Sequence, residues 1–126
     1  MDNDGDKDAL ASYPNTGKIS WYENIDAQGT FGLEQIIHQD GNEDIHKILT
    51  TDVDLDGDLD VLLLFGTNSR SLRWFKNHNG QGDFVSEQIL LSGLPNEMDL
   101  VLVDVNGDGL DDVLFEQEVA GQATIS

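Results

Sequence analysis

The stretch TDVDLDGDLD, residues 51–60, places an aspartate at each of positions 52, 54, 56, 58 and 60. Carboxylates this close repel one another unless a cation lies among them. The donors are all oxygens, they alternate along the chain, and Gly57 stands where the backbone must turn back. Such a set suits a hard cation that takes about 6–8 oxygen ligands, which is Ca²⁺; Mg²⁺ fits less well, because it keeps several waters and demands octahedral geometry. Asp52, Asp54, Asp56 and Asp60 are the expected side-chain ligands, with Asp58 offering its backbone carbonyl.

Two further stretches carry the same pattern. In one, Asp104, Asn106, Asp108 and Asp112 take the side-chain positions and Leu110 the carbonyl position, where only backbone is needed. In the other, Asp2, Asp4 and Asp8 take the side-chain positions and Asp6 the carbonyl position, while the equivalent of Asp52 would precede Met1. An EF-hand or dockerin loop begins the same way but needs a carboxylate at its twelfth position, on a helix. Counting from Asp52 and from Asp104 reaches Leu63 and Phe115, both in apolar, β-like runs. A solvated acidic turn that binds nothing would explain one such loop more readily than three in register.

The segments DNDGDKDAL (2–10), DLDGDLDVL (54–62) and NGDGLDDVL (106–114) align without gaps, and Gly5, Gly57 and Gly109 recur every 52 residues. ISWYEN (19–24) matches LRWFKN (72–77), and GTFGLEQII (29–37) matches GDFVSEQIL (82–90). Each unit therefore runs through an acidic loop, an apolar run, a W-[YF]-x-N run, a Gly-containing turn and an F-x-x-E-Q-I run. Strands are expected over 45–51, 60–65, 70–77 and 84–91, with counterparts over 18–24, 31–38, 98–103 and 112–115. The runs with little alternation suit strands covered on both faces. No segment combines helical periodicity with caps.

Four strands in about 50 residues, repeated, form the pattern of a β-propeller blade. The fold class expected is all-β, an incomplete propeller of antiparallel blades. Residues 1–41 would supply strands 2–4 of one blade behind a truncated loop, 42–94 a complete blade, and 95–126 strands 1–2 of a third with its loop. The chain reads as a piece of a longer array, with Met1 added or fortuitous; a ring closed by several chains is the alternative. Unpaired edges and open blade faces predict self-association or instability.

The formal charge of −19, from 25 acidic and 6 basic residues, argues against nucleic acid and anionic membrane as partners. About half of the acids lie in the three loops. There is no cysteine, so disulfides and Cys-based zinc sites are excluded. No apolar run reaches membrane-spanning length, and no signal peptide is visible. His38, His46 and His78 have no metal-site spacing, and no nucleophile elbow, phosphate loop or zinc helix motif occurs. Trp21 and Trp74 fit packing between blades better than sugar stacking, and Asn24 and Asn77 are expected to serve the turn after their strand.

The pattern D-x-[DN]-x-D-G-x-x-D between two strands, followed by W-[YF]-x-N, resembles the FG-GAP/VCBS repeats of integrin-α-like β-propellers. The resemblance covers essentially the whole chain. LLFGTN (63–68) has the Phe-Gly of the name motif without Gly-Ala-Pro, and W-[YF]-x-N is closer to bacterial secreted VCBS-type repeats than to animal integrins. The resemblance implies Ca²⁺ in the hairpin loop joining the first two strands of a blade, at the positions named above. It further implies a non-catalytic module of a secreted or cell-surface protein, used for adhesion or for binding a protein or glycan through the assembled propeller. The alternatives from other classes are an accessory part of a secreted polysaccharide-active enzyme and a lectin-like module.

Overall fold

The computed structural model describes residues 1–13, 15–41, 44–66, 69–84, 86–95, 98–109, 112–119 and 122–125. It is all-β: ten strands form three antiparallel sheets, with no helix among the described residues. The first sheet runs β1 (Ala9–Tyr13), β2 (Lys18–Tyr22), β3 (Gln35–His38) in that order. The second runs β4 (Ile45–Thr51), β5 (Asp60–Phe65), β6 (Arg70–Lys76), β7 (Ser86–Leu94). The third contains β8 (Met98–Val103), β9 (Asp112–Val119) and β10 (Gln122–Ile125), with β9 in the middle. Consecutive strands pair as meanders, which is what short polar turns between apolar runs permit.

Strand β5 shows why the sheets stack. All six of its residues are buried, including Asp60 at its start. Because side chains alternate across a strand, Val61, Leu63 and Phe65 join Ile19, Trp21 and Ile37 of the first sheet and Phe75 of β6 in one core. Leu62 and Leu64 point the other way, into a second core with Leu72 and Leu100. Each such aliphatic side chain contributes about 1.5–3 kcal/mol on burial. The run DVLLLF thus reads as continuous apolar sequence because neighbours cover both of its faces.

The sheets also meet through Trp21 and Gly82. Gly82 lies in the turn after β6 with φ of +82°, and a Cβ there would come within 2.0 Å of the Trp21 ring. Trp21 is buried, in the packing role expected of it. Gly29, at the equivalent turn of the first unit, has φ of +92° and nothing within 4 Å of the same position.

The observed strands differ from those expected in three places. Phe31 makes only an isolated bridge to Asn24, and β3 starts at Gln35. The reason is local: Asp26 accepts from the backbone N–H groups of Gln28 (2.9 Å) and Thr30 (3.2 Å), which folds residues 26–30 into a turn. Likewise β7 starts at Ser86 rather than Phe84, and it continues to Leu94. In the third sheet β9 extends beyond Phe115 and pairs with β10, a strand not expected from the sequence. Strand β7 is a sheet edge that leaves Ile89, Leu90 and Leu91 exposed.

Gly82→Ala and Gly29→Ala impose the same left-handed backbone penalty, but only the first drives a methyl into Trp21. Urea unfolding should show Gly82→Ala more destabilising than Gly29→Ala by about 1–3 kcal/mol, the usual cost of overpacking. Equal losses would mean that the Trp21 contact does not join the sheets in solution.

Candidate metal centre

Each acidic loop is built on the same backbone. Two residues are left-handed at matching places: Asn3, Leu55 and Gly107 (φ of 64°, 62° and 75°), then Gly5, Gly57 and Gly109 (φ of 94°, 95° and 83°). The second set was visible as a glycine repeat. The first was not, because Asn, Leu and Gly share no chemistry that marks a turn. Leu55 holds this conformation at a cost of roughly 1–2 kcal/mol.

The first aspartate of the loop folds it. Asp52 accepts from the N–H groups of Asp56 (3.1 Å) and Gly57 (2.8 Å). Asp104 accepts from Gly107 (2.8 Å), Asp108 (3.2 Å) and Gly109 (2.8 Å). The last aspartate anchors it. Asp60 is fully buried, with Oδ2 accepting from Val53 N–H (3.1 Å) and Oδ1 from Asn77 N–H (2.8 Å). Asp8 repeats both contacts, with the Met1 nitrogen and with Asn24 N–H (2.9 Å), and Asp112 accepts from Val105 N–H (3.0 Å). Burial pushes the Asp60 carboxyl up from its ordinary pKa, against the two N–H groups that pull it down.

Asn77 completes the knot. Its amide donates to Leu59 C=O (3.2 Å) and, across the sheet boundary, to Met1 C=O (2.8 Å), while its Oδ1 accepts from Gly82 N–H (3.0 Å). Asn24 matches it, donating to Lys7 C=O (3.1 Å) and accepting from Gly29 N–H (3.1 Å). Service to the following turn was expected of these two asparagines; the tie back to the acidic loop was not.

Three groups of carboxylates converge, the ligand atoms in each lying within 4.8 Å of one another: Asp52, Asp54 and Asp60; Asp104, Asp108 and Asp112; and Asp2, Asp4 and Glu23. Oxygens bound to one Ca²⁺ lie about 2.3–2.6 Å from it, so they can be at most about 5 Å apart. Both the spacing and the all-oxygen donor chemistry fit that ion. Asn106 stands beside the third group, its Oδ1 accepting from Asp108 N–H (3.2 Å). Leu110 lies outside the described residues. Asp6 and Asp8 are not members of the first group; the Asp6 carboxyl lies against Asp4 and is pushed up by burial and then by that contact. Asp58 turns toward Asn3 of the preceding loop, which donates to it at 2.5 Å.

Asp56 is also outside its group. The Lys76 ammonium binds it at 2.8 Å and contacts Asp54 as well. Hydrogen bonds to Asp54 and Asp56 push the Lys76 pKa up, and Lys76 in turn lowers that of Asp56. Lys76 and Glu23 occupy the same place, the variable position of W-[YF]-x-N, and neither was singled out by sequence. The histidines stay outside all three groups: His38 packs against Phe65 and Phe75, His46 contacts Gly66 C=O, and His78 contacts Ser86.

A family model described as FG-GAP-like repeat matches residues 1–63 and again residues 52–115. The chain belongs to the FG-GAP-like repeat family. The two matches end at 63 and 115, reproducing the period of 52 seen in Gly5, Gly57 and Gly109. FG-GAP repeats form β-propeller-type modules that are generally non-catalytic and typical of extracellular proteins, and they often bind calcium through acidic clusters. No curated protein and no solved structure is matched by the chain. Among the described residues, no helix is long and apolar enough to cross a membrane.

Replacing Asp60 tests the anchor separately from any ion. Asp60→Asn keeps the shape but turns an N–H₂ toward a backbone N–H, leaving a buried donor unpaired. A loss of at least about 2 kcal/mol is expected by urea unfolding in EDTA. A change below about 0.5 kcal/mol would show that the carboxylate does not hold the loop.

Proposed function

We propose that this FG-GAP-like chain is a calcium-stabilised, non-catalytic β-propeller module of a secreted or cell-surface protein, with binding or adhesion as its task. The observation that carries the reading is the recurrence of one loop backbone with converging carboxylates in successive units, at a spacing that suits Ca²⁺. Side-chain ligands in the middle loop are Asp52, Asp54 and Asp60, with Asp56 and the Asp58 carbonyl as further donors. In the third loop they are Asp104, Asn106, Asp108 and Asp112, with the Leu110 carbonyl. Asp2, Asp4 and Glu23 supply the first. An ion there offsets the mutual repulsion of the carboxylates and favours the ionised form of buried Asp60.

The division into a partial blade (1–41), a complete blade (42–94) and a second partial blade (95–126) belongs to the same proposal. A protein or glycan ligand would be met by the assembled propeller, and the exposed edge at β7 favours association of the chain with itself. Light scattering at tens of micromolar should therefore give a mass above the 13.9 kDa monomer; a strictly monomeric solution removes the self-association.

Thermal melting in EDTA, then in millimolar Ca²⁺, with Mg²⁺ as control, tests the ion. With the ion at about 1,000 times its dissociation constant, roughly 4 kcal/mol is gained per site. The upward shift should be specific to Ca²⁺ and reduced in Asp104→Ala and Asp108→Ala. No shift in a chain that circular dichroism shows to be folded would reduce the loops to solvated turns.

A further inference from the structure

The three loops are not equivalent, and the difference lies outside the aspartate ladder. In the first and third, the carboxylate at the fifth position of the ladder, Asp4 or Asp108, belongs to the converging group. In the middle loop the corresponding Asp56 does not, and it is held instead by Lys76. Lys76 also contacts Asp54, which is a member of the middle group. The first unit has Glu23 at the position of Lys76, and Glu23 joins its group as an added carboxylate. A single position at the end of the second strand after the loop thus carries a cation in one unit and an anion in another, each directed at equivalent carboxylates.

We propose that Lys76 is a tethered counter-ion that competes with the divalent cation in the middle loop, so that this loop takes Ca²⁺ more weakly than the third loop does. Two effects act together. The ammonium neutralises part of the charge that would attract the ion, and it draws Asp56 away from the group that would bind it. Glu23 does the reverse, adding charge to the first loop. The residue between the aromatic pair and the asparagine therefore tunes the ion affinity of the first and middle loops in opposite directions. This rests on the calcium reading above.

Two-dimensional NMR separates the loops, since the amides of Gly57 and Gly109 report the middle and third loops individually. After EDTA treatment and desalting, CaCl₂ is titrated into the wild type, Lys76→Met and Lys76→Glu. In the wild type, Gly57 should saturate at a higher Ca²⁺ concentration than Gly109. Lys76→Met should lower the Gly57 midpoint about tenfold, as expected for removing a like charge at contact distance, and Lys76→Glu should lower it further. Neither should move Gly109. Coincident wild-type midpoints, or a Gly57 midpoint unchanged by both substitutions, overturn the inference while calcium binding stands. If neither glycine responds to Ca²⁺ in any of the proteins, the calcium reading fails and the competition fails with it. Should both variants fail to fold, the wild-type comparison of Gly57 with Gly109 still decides.

Discussion

The carboxylate that closes each acidic loop, fully buried at Asp60, holds the architecture together. Asp60 joins three pieces of chain: the loop entry at Val53, the first residue of β5 and the residue after β6, Asn77. A hydroxyl or amide could not do this as well, since only an ionised carboxylate presents two acceptor oxygens and no donor. Burying that charge is costly, and the two backbone N–H groups offset only part of the cost. The unit therefore carries an electrostatic demand beside its anchor, and the remaining aspartates of the ladder stand where a cation would meet it.

The same knot positions the aromatic core. Asn77 fixes the turn after β6 by accepting from Gly82, and Gly82 is where Trp21 of the preceding sheet lies. Its amide also reaches Met1 in the preceding unit. Polar and apolar contacts across the first sheet boundary thus share residues, and disturbance of one is felt by the other. Between the second and third sheets, the pairing of Lys47 with Asp99 (3.2 Å) and the donation from Arg70 to Met98 C=O (2.5 Å) flank the Leu62, Leu64, Leu72 and Leu100 core.

Much of this was legible because it repeats. The glycine period, the two-faced apolar run at β5 and the W-[YF]-x-N segment each bear on backbone or packing demands that every unit shares, so comparison within one chain exposes them. Lys76 and Glu23 escaped for the opposite reason. They sit where the units disagree, and comparison of repeats treats disagreement as freedom. Leu55 escaped because its left-handed backbone leaves no mark on side-chain type. The start of β3 was misplaced since Asp26, Gln28 and Thr30 form a local turn that competes with the ladder, and β10 lay in a stretch with neither an acidic loop nor the aromatic motif to announce it.

The contact between Trp21 and Gly82 has a consequence for how such chains change over generations. Every described unit that has the tryptophan also has the glycine: Trp21 with Gly29, Trp74 with Gly82. Trp21 is the knob and Gly82 the socket of the observed junction, and Trp74 and Gly29 stand at the matching places for a further one on either side. Copying or deleting a whole repeat leaves every new junction with a matching pair, so the array can lengthen or shorten in steps of one unit without inventing an interface. An exchange of glycine for a larger residue in one turn would end that interchangeability at a single junction and fix which repeat must precede it.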